Sequence, residues 1–231
     1  MIELLYNPVF GLFLTLLCGS FFWWLKGVNK FIWINPLLFS IILIIILIQG
    51  LNIPYEAYQQ GADIIHSFLG PITVILAVPL YEHRDELLRH KTAIFSGTII
   101  GSFSALVSVF VLGHLFGLSD LFVHSLMPKS VTTPIGISAS EILNGIVGLS
   151  VISIIITGLL GAFIAPMIFK VFKINSPIAQ GVALGTTAHA IGTSKAYETN
   201  RICGAMSGLS IGLSGVISMF WIVLYSFFFM M

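Results

Sequence analysis

The sequence predicts an all-α polytopic membrane protein of seven or eight transmembrane segments, several of them discontinuous, arranged as inverted repeats. Three observations predict it. The 231-residue chain is 57% hydrophobic and 8% charged, whereas soluble domains carry about 25% charged residues and need them to cover their surface. Apolar runs of membrane-spanning length recur from end to end, with a mean hydropathy of +1.05, and a helix needs about 20 such residues to cross the hydrocarbon core. Finally, three runs of that length are interrupted by proline, glycine and polar residues. In lipid, such breaks survive only where protein or a wet cavity satisfies the freed backbone groups.

The net charge of +1 leaves no electrostatic case for nucleic acid. Cys18 and Cys203 both lie in apolar runs and read as packing residues, so no disulfide framework is indicated. No nucleophile–base pair or metal-ligand spacing stands out, and neither an enzyme nor a cofactor is expected.

The first span is expected at 5–25. Glu3 is the only charge ahead of it and no small-residue cleavage site precedes Lys26, so it reads as a span and not as a cleaved signal. Trp23, Trp24 and Lys26 close it as an interface anchor. Further uninterrupted spans are expected at 32–50, 92–117, 147–170 and 203–230. The interrupted stretches are 56–81, 120–145 and 176–199. Proline removes a backbone donor and clashes with the preceding turn. Glycine weakens a helix by about 1 kcal/mol relative to alanine.

Lys and Arg set the orientation. Lys26 and Lys30 place the first loop in the cytoplasm, and two crossings later Arg84, Arg89 and Lys91 lie inside again, which supports 56–81 as a crossing. Beyond residue 118 the rule ties. If 120–145 re-enters, Lys170 and Lys173 are inside while Lys195 and Arg201 are outside; if it crosses, the pairs exchange sides. Either way seven of the ten positive residues are inside.

The domain expectation is a single membrane domain over 1–231. "YEHRD" at 81–85 precedes "SGTIIG" at 96–101, and "YETNR" at 197–201 precedes "SGLSIG" at 207–212. This internal similarity suggests repeat units of about 32–117 and 147–231 joined by the broken segment 120–145. Inverted repeats whose broken helices meet at the midplane are a mark of secondary transporters.

Three breaks carry the candidate chemistry. In "MPKSVTTPIG" (127–136), Pro128 and Pro134 bracket Lys129, Ser130, Thr132 and Thr133. Thr133 precedes proline, which disfavours helical geometry there, and proline suits a first helical turn. The helix is expected to stop before Pro134 and restart at it, presenting backbone N–H groups and a positive dipole end to an anion. Lys129 adds a full charge that is costly at the bilayer centre without a partner or ligand; the alternative is that it snorkels to the surface. In "GVALGTTAHAIGTSKAYE" (181–198), Gly181 and Gly185 have the spacing of close helix packing. Thr186 and Thr187 precede His189, Gly192 is the expected break, and Thr193, Ser194 and Lys195 follow. His189 either titrates near neutral pH in proton coupling or is a neutral hydrogen-bonded core histidine. Lys195 is either a ligand group or an interface anchor. In "LGPITVILAVPLY" (69–81), Pro71 and Pro79 shape the cavity more than they bind. Glu141 is either a counter-ion to Lys129 or an interface residue. Glycines 97, 101, 204, 208, 212 and 215 read as helix-packing positions.

"PITVILAVPLYEHRDEL", "LMPKSVTTPIGI" and "IAQGVALGTTAHAIGTSKAYE" resemble the signature blocks of the LrgB/CidB family of bacterial membrane proteins, in the expected order and over nearly the whole chain. The resemblance implies a fold related to cation/proton antiporters and bile-acid-type transporters. It also implies a multi-pass location in the bacterial cell membrane, a small LrgA/CidA-type membrane partner and a homo-oligomer such as a dimer. Two functional expectations follow from it. One is a carrier of small monocarboxylates such as pyruvate or glycolate, with the organic anion held by Lys129 and the hydroxyls. The other is a holin- or antiholin-like pore or pore regulator that modulates murein hydrolase export and autolysis. The polar residues gather at the breaks and form no continuous stripe along a span, which favours the carrier.

Overall fold

The computed structural model describes residues 5–29, 36–68, 71, 74, 78–82 and 84–230. It divides into two compact units, 1–71 and 72–231. All regular structure among the described residues is helical. Four helices there are long and apolar enough to cross a membrane, so the described residues do not reach the seven or eight segments expected.

The first unit holds α1 (Pro8–Asn29), α2 (Pro36–Gly50) and α3 (Tyr55–His66). Asn7 starts α1 by accepting the Val9 N–H on its side-chain oxygen at 2.9 Å, and Pro8 occupies the first turn, where a missing N–H costs nothing. α1 packs on α3 at Gly11 and Gly61. A Cβ on Gly61 would lie 2.6 Å from the Gly11 Cα, a crossing only small residues allow. The Thr15 and Tyr58 hydroxyls meet beside it at 3.0 Å. Of the expected stretch 56–81, α3 is described, as is α4 (Val78–Glu82) with Pro79 in its first turn. The expected crossing depends on 69–70, 72–73 and 75–77, which lie outside the described residues.

The second unit continues from α4 through α5 (Arg84–Arg89), α6 (Lys91–Leu115), α7 (Asp120–Leu126), a 3-10 turn (Met127–Ser130), α8 (Thr133–Ile142), α9 (Val147–Val171), α10 (Pro177–Thr199) and α11 (Arg201–Phe229). α6, α9 and α11 are the span-length helices expected at 92–117, 147–170 and 203–230.

Both interrupted stretches between them double back. In the first, α7 and α8 form a hairpin. The Ile146 N–H donates to Ser125 Oγ at 2.7 Å, and Val123 and Met127 of one arm pack with Ala139 and Leu143 of the other. The chain thus leaves and returns at one end of the unit, which settles 120–145 as re-entrant in shape.

The second hairpin lies within α10 and corrects the expectation that 176–199 crosses. His189 has φ 48°, ψ −132°, a single non-helical residue that turns the chain around. A Cβ on Gly192 would meet the Leu184 carbonyl oxygen at 2.6 Å and Ala188 Cβ at 2.7 Å. Residues eight apart on a straight helix are about 12 Å apart, so 177–188 and 190–199 must lie side by side. α11 confirms this. Gly181 faces Cys203 and Met206, and Gly185 faces Ser207 and Ser210, so the first arm runs parallel to α11. Thr193 then meets Ser207 and Tyr197 meets Gly204, so the second arm runs antiparallel to it.

The second unit is therefore span, hairpin, span, hairpin, span. The two hairpins enter from opposite ends. Arg84, Arg89, Lys91, Lys170, Lys173, Lys195 and Arg201 gather at the end where α10 is rooted, and the other end has Asp120 and Glu141 but no Lys or Arg among the described residues. The expected split of the basic pairs between two faces disappears once α10 turns back.

Candidate functional site

The hairpin tips meet midway along the spans. At the α10 tip, Ala188 and Ile191 face Gly161 and Gly158 near the middle of α9, and Thr186 faces Gly101 near the middle of α6. At the other tip, Ile135 packs on Gly215, the middle of α11.

Proline chemistry builds the α7–α8 tip. Pro128 opens the 3-10 turn, Val131 (φ −132°, ψ 171°) and Thr132 (φ −67°, ψ 151°) are extended, and α8 restarts at Thr133 with Pro134 in its first turn. The restart is one residue earlier than expected, because Thr133 itself, although it precedes proline, is the first helical residue. Thr132 holds the N-cap position but its side chain caps nothing. Its Oγ1 is buried and has no hydrogen-bond partner. Ser130 is buried and accepts from Lys129 Nζ at 3.3 Å, while Lys129 is half-buried. Among the described residues no carboxylate forms an ion pair with Lys129. Glu141 is exposed near the base of this hairpin, and among the described residues it forms no ion pair with Lys129.

The α10 tip is His189 and not Gly192. A positive φ usually selects glycine, and holding a non-glycine residue there costs of order 1–3 kcal/mol. Gly192 serves the turn differently, by leaving room for the first arm. The His189 ring is 4% exposed and Thr186 is 3% exposed. The ring lies beside the Lys129 and Gly185 peptide groups and within electrostatic reach of the Lys129 ammonium. Neither peptide group meets hydrogen-bond geometry, so both ring nitrogens, like Thr186 Oγ1, lack a partner. A buried polar atom left unpaired costs about 1–3 kcal/mol. Three side chains in this state, Thr132, Thr186 and His189, on two tips that touch, form a polar centre without internal partners.

The remaining expected site residues lie elsewhere. Thr133 is half-buried at the start of α8. The Thr187 hydroxyl donates to its own helix at Ala183 O, 2.7 Å, and Ser194 to Ala190 O, 3.2 Å, both on exposed positions. Thr193 bonds Ser207 across to α11 at 2.7 Å. Lys195 pairs with Glu198 at 2.9 Å toward the root of the hairpin. Gly185 packs against α11, and Pro71 lies in the first unit.

The sequence reading missed Ser125, Ser140 and Ser150. All three are fully buried, and Ser150 Oγ lies 2.7 Å from the Ser125 carbonyl and 2.8 Å from Ser140 Oγ. Serines buried in otherwise apolar segments were the available signal.

Fold and site together define a helical membrane protein with a buried, cation-bearing polar centre where two opposed hairpins meet. The LrgB-like family model matches residues 15–227, and the chain belongs to that family. Among relatives, it is 35% identical to YwbG and 34% identical to YxaC of Bacillus subtilis, both described as uncharacterized. The alignments cover 81% and 80% of this chain and 84% and 81% of theirs. It is 29% identical to the antiholin-like protein LrgB of Bacillus cereus, over 92% of this chain and 93% of that one. No solved structure matches.

Proposed function

We propose that the protein is a secondary carrier of small monocarboxylates of the pyruvate and glycolate kind, a multi-pass protein of the bacterial cell membrane. The observation that carries the reading is Lys129, half-buried and, among the described residues, without a carboxylate partner, beside His189, Thr132 and Thr186, whose buried polar atoms are unpaired there. A small anion would supply the missing negative charge and acceptors. The N-terminus of α8, which no side chain caps, adds a positive dipole end. Hydroxyl or keto oxygens of the acid would take the Thr132 and Thr186 hydroxyls. The site narrows to Lys129, Ser130, Thr132, Thr186 and His189. Thr187, Thr193, Ser194 and Lys195 serve the hairpin itself.

Two hairpins that enter from opposite ends and meet midway match the discontinuous helices that form the midplane sites of secondary transporters. The arrangement supports a transporter-type fold and needs no enzyme chemistry. The basic root of α10 is cytoplasmic by the positive-inside rule. A small LrgA/CidA-type membrane protein is the proposed partner, and the working unit is a homo-oligomer, a dimer in the simplest case.

The second reading is an antiholin-like pore regulator, and it has a specific observation in its favour, the name of the Bacillus cereus relatives. Reconstitution separates the two. Saturable uptake of labelled pyruvate, lactate or glycolate into proteoliposomes, lost in Lys129→Ala, supports the carrier. Size-limited leakage of neutral dyes without saturable uptake supports the pore.

A further inference from the structure

The protein does not balance the charge of its own polar centre. Lys129 is the one Lys or Arg in the two tips, 127–136 and 185–193. The spans that flank the tips, α6, α9 and α11, carry no Asp or Glu. The carboxylates of the hairpins, Asp120, Glu141 and Glu198, stand at their roots. Glu141 is eight residues beyond the start of α8 and Glu198 nine beyond the turn at His189. Such separations span about 12–13 Å along a helix. Asp120 contacts His114 and Glu198 pairs with Lys195, and among the described residues neither reaches Lys129. A charge drawn out of water needs a partner of opposite sign.

The groups around Lys129 are hydrogen-bond donors. The Thr132 and Thr186 hydroxyls and the His189 ring are buried and, among the described residues, unpaired. The first turn of α8 adds backbone N–H groups that its N-cap side chain does not bond. A hydroxyl turns its hydrogen to suit an acceptor, and a neutral imidazole keeps one N–H to donate. Donors converging beside a cation, with no carboxylate among them, are the chemistry of an anion site. The enclosure sets the size of its ligand. Ser130, Thr132, Thr186 and His189 are each at most 9% exposed. The tips abut the spans where Ile135 meets Gly215, Thr186 meets Gly101 and Ala188 meets Gly161. A three-carbon acid has to part such contacts. A monatomic anion needs only the hydroxyls and the ring to turn toward it.

We propose that the centre binds chloride, held by Lys129, Thr132, Thr186 and His189, as the counter-ion of Lys129 whenever no organic acid is bound. Chloride and a monocarboxylate then displace one another. That competition rests on the carrier reading, whereas the chloride site stands on the geometry of the tips.

Thermal unfolding of the purified protein tests the site without transport. Sodium chloride is titrated against the sodium salt of HEPES, an anion too large for the centre, at constant ionic strength so that screening is equal. A ligand that binds the folded state raises Tm along a saturating curve. Chloride should do so in the parent and in Thr187→Ala, whose hydroxyl is exposed and bonded to its own helix. Thr186→Val should weaken the apparent chloride affinity by about tenfold, the value of one hydrogen bond to a charged group, and Lys129→Met by at least about tenfold. If Lys129→Met does not fold, Thr186→Val decides alone. A rise that never saturates, or one that is equal in the parent and Thr186→Val, overturns the proposal. Binding of labelled pyruvate should weaken about twofold at the chloride concentration that half-saturates the Tm rise. Pyruvate binding indifferent to chloride overturns the shared centre. A chloride response that depends on Thr186, without any pyruvate binding, counts against the carrier reading alone and leaves the chloride site standing.

Discussion

Gly192→Ala tests the hairpin in α10 through the sign of a stability change. The added Cβ would sit 2.6 Å from the Leu184 carbonyl oxygen and 2.7 Å from Ala188 Cβ. Carbon atoms pack at about 3.5 Å, so the arms must part by about 0.8 Å. Neither obstacle is a flexible side-chain end. Overpacking of this kind costs about 1–3 kcal/mol, against a helix-propensity gain of up to about 1 kcal/mol for replacing glycine. Gly208→Ala is the control, because nothing lies within 4 Å of its Cβ position and only the propensity gain remains. In a domain of this size 1 kcal/mol moves Tm by roughly 2–4 °C. Thermal unfolding in detergent, followed by exposure of the buried Cys18 and Cys203 thiols, should show Gly192→Ala below the parent and Gly208→Ala at or above it. On a straight helix over 177–199 both substitutions would behave alike, so equal rises in Tm would refute the turn at His189.

Other substitutions separate binding from folding. Thr186→Val and Thr132→Val replace unpaired buried hydroxyls with methyls of similar shape; each should stabilise the empty protein, by up to about 1–3 kcal/mol, and lower uptake. Ser207→Ala removes the partner of Thr193 and should cost about 1 kcal/mol, read as a fall of a few degrees in Tm. Asn200→Ala removes the cap that accepts the Ile202 N–H at 2.8 Å and should cost about 1 kcal/mol in the same assay. Asp120→Asn breaks a solvent-exposed contact with His114 and should change stability by less than about 1 kcal/mol.

The uninterrupted spans were legible because hydropathy over about 20 residues is a local property. The breaks around Pro128 and Pro134 were legible because proline acts on its own backbone and on its neighbour's. The hairpin in α10 was not. A 23-residue helical stretch has the same composition whether it crosses or turns at its centre, and the contact of Gly192 with Leu184 exists only in three dimensions. The turn also falls on histidine, while local rules point to glycine. That one misplacement produced the tie in the basic-residue count, since turning α10 back brings Lys195 and Arg201 to the side of Lys170 and Lys173. Within the candidate site, Lys129, Thr132, Thr186 and His189 were identifiable as polar residues at breaks. Thr187 and Ser194 looked equivalent to them, and only the facing of each arm separates a hydroxyl aimed at the centre from one bonded to its own helix.

The most direct measurement is equilibrium binding of labelled pyruvate to the purified protein beside Lys129→Ala and Thr187→Ala. Saturable binding that lactate and glycolate displace is expected, lost in Lys129→Ala and kept in Thr187→Ala. Binding that is unsaturable, or equal in the parent and Lys129→Ala, would contradict a monocarboxylate site at the meeting of the two hairpins.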